Sequence, residues 1–388
     1  MALILRDIYE ATRQHFQLEL IAGGDGLDRP MNWVYVSEDY TTSNFLHGGE
    51  LIITTGVISG GRSAWLLRML HHITQQHTCG LIINEGPYLN RTQISQEVLD
   101  FCNQNGFPLF LMPWHVHIYD VTRDYCDRIF THNQHQEALR RAFETLLDPQ
   151  GEQGPALRLL GDNGFSPQNP CCAVLFPIGS VTQPNTLLSH QLNTFLLPFS
   201  VPSFLLLHNQ ALILICQCDQ PSAVRPAAEE LQKQLSAFFP QPLAAGIGGQ
   251  SPTLALLARS VEQAQAALSW AKGQSLPLAC YDDMGFFRLL LEVKDRTFLA
   301  SYVQELLGPV LQYDDQHGTD LTGTLYLYLL HNRSIQAVAA AAFCHRNTVS
   351  HRLGLLQEKL GYQLEDPMAC FQLLTAFQVR EFLRFLPF

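Results

Sequence analysis

The chain has 388 residues, enough for two to four domains, and with 47% apolar and 15% charged residues it can bury true cores and is not a disordered polymer. Its formal charge of −11 argues against broad coating of nucleic acid.

The opening Met1-Ala-Leu-Ile-Leu-Arg-Asp7 brings an acidic residue at once and no cleavage site, so it does not read as a secretory signal. No uninterrupted apolar run reaches the ~18 residues that mark a membrane span. A cytoplasmic location is expected.

Residues 51–55 read as a buried strand. Residues 62–76 read as a helix, with Trp65, Leu66, Met69, Leu70 and Ile73 at helical spacing. Residues 81–83 return to strand. Thr92 can cap a helix carrying Ile94, Val98, Leu99 and Cys102, and residues 109–112 make a third strand. This βαβαβ order implies a parallel sheet with right-handed crossovers and helices on its faces.

Open parallel sheets bind ligands at the carboxyl ends of their strands. That rule selects Thr54, Thr55 and Gly56, then Asn84 and Glu85, then Trp114 and His115. Hydroxyls, an amide, a carboxylate and an indole suit a small polar, flat or amide-rich effector; the alternative is ordinary turn and cap residues. Glu50 stands at the wrong end of its strand and reads as structural. Arg29, Trp33 and Glu38 belong either to a site or to a fold-locking network, and the sequence leaves both open. The glycines near residue 24 lack the strand-to-helix setting of a dinucleotide fingerprint. His115 with His117, and His132 with His135, have spacings seen in metal sites but lack Cys or carboxylate partners at matching distance. No metal and no cofactor are expected.

A connecting helix is expected over 120–147, ended by Asp148-Pro149 and a Gly/Pro/Asn-rich stretch to residue 170. Then follow a strand (172–176), a helix (187–197), a hairpin (204–207 and 211–216), a helix (223–239), a strand (243–247) and a helix (254–272). The order βαββαβ is that of a ferredoxin-like unit. The close cysteine pairs, Cys171-Cys172 and Cys216 with Cys218, lie in these apolar runs and read as buried thiols kept reduced.

Residues 286–331 look helical, with Phe286, Phe287, Leu289 and Leu290 as one apolar cluster. Residues 324–330 form a helix expected to pack behind the next element. From 334 to 360 the chain reads as two helices with a tight corner at Phe343-Cys344-His345, the helix-turn-helix spacing. Ser334 caps the first, whose apolar line is Ile335, Val338, Ala339 and Ala342. The second carries Val349, Leu353, Leu356 and Leu360. Its opposite face presents Asn347, Ser350, His351 and Gly354. Asn suits an adenine edge, Ser and His suit bases or phosphates, and Gly allows close approach. His345, Arg346 and Thr348 sit at the helix start, where recognition helices reach base edges. Arg352 and Lys359 flank it as a phosphate stripe. Within 334–360, three basic residues against Glu358 give 3 − 1 = +2 in an acidic chain. After Pro367, Cys370, Leu373, Leu374 and Phe377 supply a closing helix.

His345-Arg346-Asn347-Thr348, His351-Arg352-Leu353 and Gly361-Tyr-Gln-Leu-Glu-Asp-Pro367 resemble the C-terminal helix-turn-helix of the PucR family of bacterial transcription regulators. Two positions depart from the family pattern: His351 replaces a usual tyrosine and Ala342 a common leucine. The stretch from Gly23 to Glu38, followed by Gly48 to Gly56, is similar to the N-terminal domain of that family. Ala245-Gly-Ile-Gly248 and residues 260–268 resemble its degenerate GGDEF-like middle domain. A working nucleotide cyclase needs glycines and acids at the hairpin tip; His208-Asn209-Gln210 supplies neither, so no cyclase activity is expected.

The resemblance implies an α/β multidomain protein: an effector-sensing domain over 1–130, a connecting helix over 131–150, a GGDEF-like domain over 151–285, and a helical region over 286–388 ending in the DNA reader. It implies a ligand-responsive regulator of catabolic genes, with purine or ureide degradation as the best-known theme. The expected partners are double-stranded operator DNA, a purine or ureide effector, and a second copy of the chain in a homodimer or higher oligomer. A scaffold without DNA binding is the alternative. An enzyme is not expected, since no nucleophile elbow, P-loop, metal triad or loop-borne acid pair is visible.

Overall fold

The computed structural model describes residues 3–60, 63–179, 201–218, 223–236 and 243–385. The chain forms two compact units, Met1–Leu243 with Gln250–Val261, and Ala244–Gly249 with Glu262–Phe388.

The first unit begins with α1 (Leu5–Thr12), β1 (Glu19–Ala22), β2 (Trp33–Val36), β3 (Glu50–Thr54), α2 (Ser63–Gln75), β4 (Gly80–Glu85), α3 (Gln96–Gln104), β5 (Leu109–Pro113) and α4 (Ile118–Leu147). The sheet order is β1-β5-β4-β3-β2. Strands β2 to β5 are parallel, while β1 runs antiparallel to β5. The sheet is therefore mixed, not purely parallel as expected. The two edge strands have four residues each, too short for a clear alternation signal. Central strands read as continuous apolar runs because both faces are covered. On one face Leu66, Met69 and Leu70 of α2 join Val98 and Cys102 of α3. On the other, Leu5 and Ile8 of α1 join Val121, Tyr125 and Ile129 of α4.

Arg29, left open by the sequence, and Glu50, read there as structural, both act as locks at the amino ends of the strands. Arg29 donates to the carbonyls of Thr78 (3.1 Å) and Asn105 (3.0 Å) and lies over the Phe107 ring. The Glu50 carboxylate accepts from the backbone N–H of His47 (2.6 Å) and Gly48 (2.9 Å).

Helix α4 has 30 residues, about 45 Å of length. Between Ile129 and Leu139 none of its residues is buried. Ion pairs of Arg128 with Asp124, and of Arg140 and Arg141 with Glu137, support this solvated stretch. His132 and His135 lie on it. Among the described residues, no group of three or more His, Cys, Asp or Glu is placed to hold a metal ion. No described helix is long and apolar enough to cross a membrane.

After α5 (Gln153–Asp162), β6 (Cys171–Pro177), β7 (Ser203–His208) and β8 (Ala211–Gln217) form an antiparallel ladder in the order β6-β8-β7. The hairpin turns at Asn209 (φ 47°) and Gln210 (φ 61°), two left-handed residues of the kind that match strand twist. Cys172 faces Cys216 across the ladder, and Cys171, Cys172 and Cys216 are fully buried. Burial pushes the Cys171 and Cys216 thiols up to about 12, leaving them unreactive. The helix expected at 187–197 lies outside the described residues. The next one is α6 (Arg225–Ser236); the last three residues of its expected span, 237–239, also lie outside them.

Strands β9 (Ala245–Ile247) and β10 (Leu278–Cys280) pair in parallel, so the middle region mixes both pairing senses. Helix α7 (Leu257–Gly273) lies between them in sequence. A Cβ at Gly246 would stand 2.1 Å from the Ala264 carbonyl oxygen, which is why strand and helix meet at a glycine.

The remaining helices are α8 (Phe287–Leu291), α9 (Arg296–His317), α10 (Leu321–Leu330), α11 (Ile335–Ala341), α12 (Arg346–Glu358) and α13 (Pro367–Phe385). The apolar cluster expected at 286–290 is split. Phe287 and Leu290 are buried, while Phe286 and Leu289 point outward, because a five-residue helix buries only one side.

Candidate nucleic-acid interface

The two-helix module is built as its residues direct. The Ser334 hydroxyl accepts from the Ala337 N–H (3.3 Å) and starts α11. Of the expected apolar line only Val338 is fully buried; Ile335 is 37% exposed, so α11 is a thinner wedge than its pattern suggests. The corner places Phe343 in the left-handed region (φ 50°), and its ring is 98% exposed. Cys344 packs inward against the helical core.

His345 is the N-cap of α12, with Nδ1 accepting from the Asn347 N–H at 3.2 Å. Val349, Leu353 and Leu356 are buried, each contributing about 1.5–3 kcal/mol if fully removed from water. They pack with Leu325 and Leu329 of α10 and with Leu373 and Phe377 of α13. Gly361 (φ 72°) turns the chain out of the helix, and the Tyr362 hydroxyl donates to the Leu306 carbonyl at 2.7 Å.

This packing leaves Arg346, Asn347, Thr348, Ser350, His351 and Lys359 exposed. A Cβ at Gly354 would meet nothing within 4 Å, so this glycine has no packing role in the chain. Arg352 behaves differently. It is half-buried, and its Nη1 donates to the hydroxyl of buried Thr324 at 3.0 Å, tying α12 to α10. Thr324 was not singled out in the sequence; its hydroxyl also donates to the Asp320 carbonyl, an ordinary helical bond that hides the second role.

The second set of candidates lies in the N-terminal sheet. Thr54 ends β3 and Thr55 and Gly56 follow it, Asn84 and Glu85 end β4, and Trp114 and His115 follow β5, all at the carboxyl ends of parallel strands. Their polar groups are already engaged. The Glu38 carboxylate accepts from both threonine hydroxyls and from the N–H of Thr55, Gly56 and Val57. The Asn84 amide donates to the carbonyls of Pro113 (3.1 Å) and Val116 (3.3 Å), and Glu85 accepts from the Arg91 N–H (2.8 Å). Trp114 and His115 are exposed. Glu38, which the sequence left open together with Arg29 and Trp33, joins this network through partners at least 16 positions away, beyond any local periodicity.

Three family descriptions match successive parts of the chain: the purine catabolism regulatory protein-like family (PucR) over residues 8–129, a GGDEF-like domain over 150–270, and the PucR C-terminal helix-turn-helix domain over 321–379. The chain belongs to the PucR family. Within it, the chain is similar to the proline-responsive transcriptional activator PutR of Bacillus subtilis (strain 168), at 27% identity over 43% of this chain and 42% of that protein. It is also similar to the purine catabolism regulatory protein of the same organism, at 29% identity over 50% of this chain and 36% of that protein. The chain thus matches less than half the length of each relative. A crystal structure of a regulator of polyketide synthase expression from Bifidobacterium adolescentis aligns with 63% of this chain and 97% of its own, at 18% identity and a TM-score of 0.31.

Proposed function

We propose that this PucR-family chain is a DNA-binding transcription regulator, not an enzyme, and that it responds to a small-molecule effector. One observation carries the reading. Helix α12 buries Val349, Leu353 and Leu356 and turns Arg346, Asn347, Thr348, Ser350 and His351 to solvent at the end where a recognition helix meets base edges. Arg346, Asn347 and His351 read bases, Lys359 holds phosphates, and His345 and Arg352 set the helix in place.

In this reading residues 1–130 sense the effector at the carboxyl ends of β3, β4 and β5, through Thr54, Thr55, Gly56, Asn84, Glu85, Trp114 and His115. Residues 131–150 connect, 151–285 relay, and 286–388 read DNA as a cytoplasmic homodimer. The two relatives respond to proline and regulate purine catabolism by name, which supports control of a catabolic gene set by a small nitrogenous metabolite, a purine or ureide among them.

Footprinting of the full chain on DNA upstream of its neighbouring genes tests the proposal. Protected half-sites about one helical turn apart, or a multiple, are expected. Binding that is uniform over all fragments at every salt concentration would contradict it.

A further inference from the structure

At the end of β3 the backbone turns through Gly56 (φ 72°), and a Cβ at that position would press on the Leu89 side chain at 2.7 Å. The turn aims the N–H groups of Thr55, Gly56 and Val57 at one point, a backbone nest for an anion. Two hydroxyls join them. The Glu38 carboxylate accepts all five: Thr54 Oγ1 at 2.9 Å, Thr55 N at 2.8 Å, Thr55 Oγ1 at 2.7 Å, Gly56 N at 3.0 Å and Val57 N at 3.2 Å. A carboxylate offers about four acceptor sites, so this cradle encloses the whole group. A tie between an edge strand and its neighbour needs far less. The contrast is Glu50, which locks the other end of β3 with two hydrogen bonds.

The rim of the cradle is apolar and open. Val57 and Ile58 are exposed just beyond it. The Ser59 hydroxyl donates to the Tyr88 carbonyl (3.4 Å), and the Tyr88 ring stands edge-on to Trp114, 6.2 Å between centroids. A Cβ at Gly86 would lie 2.1 Å from the indole, so that ring is seated directly on backbone while remaining 46% exposed. Large apolar groups held in place yet facing water, on three adjacent loops, mark a contact surface.

We propose that the Thr54–Val57 cradle is a carboxylate-recognition site, that Glu38 occupies it as an internal stand-in, and that a small organic acid with an apolar body displaces Glu38, its body resting on Ile58, Tyr88 and Trp114. Glu38 is only half-buried and lies on the loop leaving edge strand β2, so its side chain can leave without opening the sheet. The loop it would release runs through Asp39, which caps Thr41, to Tyr40, which stacks on His72 of α2. Exchange of one carboxylate for another thereby reaches the outer helix layer. The proposal rests on the reading of this sheet as the sensing domain and narrows it to a class of ligand.

The test uses the full chain as wild type, Glu38→Ala, Glu38→Gln and Glu38→Ala/Trp114→Ala. Acetate and cyclohexanecarboxylate are the probes, with chloride at equal ionic strength as the control and thermal melting as the readout. Glu38→Ala should melt lower than wild type and recover saturably with either acid but not with chloride. Cyclohexanecarboxylate should half-saturate at least about tenfold below acetate, and the double variant should lose that gain. Wild type should need more acid than Glu38→Ala, because Glu38 competes. Glu38→Gln, which keeps side-chain volume, should show the same order. If neither single variant responds to either acid beyond chloride, or if the apolar body brings no gain, the proposal is wrong. No DNA enters this assay, so its failure leaves the DNA-binding reading to stand or fall on footprinting of the unmodified chain.

Discussion

The guanidinium of Arg352 donates to Thr324 Oγ1 at 3.0 Å, and Thr324 is 2% exposed. A basic residue that looks like a phosphate contact on a helical wheel is thus anchored inside the protein by one of its nitrogens. Thr324→Val keeps the shape and removes the acceptor. It should cost about 1.5–3 kcal/mol in stability, the range for a hydrogen bond to a charged group. The salt slope of DNA binding should stay unchanged. Lys359→Ala should do the reverse, leaving the melting temperature in place and flattening the slope by about one. A slope that falls equally in both variants would return Arg352 to the phosphate stripe.

Gly354 sits in mid-helix with open space where a side chain would stand. Glycine there destabilises the helix by about 0.5–1 kcal/mol relative to alanine. Gly354→Ala should therefore raise the melting temperature while weakening DNA binding, because the added methyl faces the groove. A variant that is more stable and binds equally well would show that the DNA backbone does not approach this point.

Asp314, near the end of α9, accepts from Thr319 Oγ1 (2.6 Å) and from the N–H groups of Leu321 (2.7 Å) and Thr322 (2.8 Å), holding the first turn of α10. Burial favours its neutral form, but these hydrogen bonds favour the carboxylate and outweigh it, so its value falls below the ordinary one. A lowered folded value gives stabilisation that is complete above the unfolded value of about 3.9 and is lost as pH falls through the folded value. Asp314→Ala should lower stability at about pH 7 by roughly 1–2 kcal/mol, the cost of losing these hydrogen bonds to the turn. Its melting temperature should also fall less than that of wild type when the pH is taken from about 5 to 3. Parallel acid profiles for the two proteins would show that Asp314 does not contribute to the acid sensitivity of the fold.

His345 caps α12 through Nδ1, a role available only to an unprotonated nitrogen. His345→Asn offers a cap of comparable strength and should preserve both stability and DNA affinity, whereas His345→Ala should lose about 1 kcal/mol. A drop in affinity for the asparagine variant at unchanged stability would assign the imidazole to a base or phosphate instead.

Much of this architecture is legible in the residues, for reasons that also explain what is not. Strands β3, β4 and β5 and helices α2 and α3 announce themselves because each buries a continuous or periodic apolar row, such as Trp65, Leu66, Met69, Leu70 and Ile73. Edge strands β1 and β2 do not, being short and half-exposed. The two-helix module is readable from Val349, Leu353 and Leu356. Its exposed face follows by subtraction, which is why Arg346, Asn347, Thr348, Ser350 and His351 stand where they were expected. Subtraction fails for Arg352, because a long side chain at the border of a face can fold back onto a neighbouring helix. Nor does the corner at Phe343-Cys344-His345 reveal in sequence that a left-handed backbone at Phe343 turns its side chain fully out. The Glu38 cradle is a meeting of two loops 16 to 19 residues apart, and no local pattern encodes that.

Base reading by the exposed face of α12 is tested by selecting preferred sequences from a random duplex pool with the 388-residue wild-type chain and with Asn347→Ala. Wild type should enrich a two-fold-related motif, and the variant should show a relaxed preference at one position per half-site, worth about 1–3 kcal/mol, with non-specific affinity retained. An identical enriched motif from both proteins, or none from wild type, would contradict it.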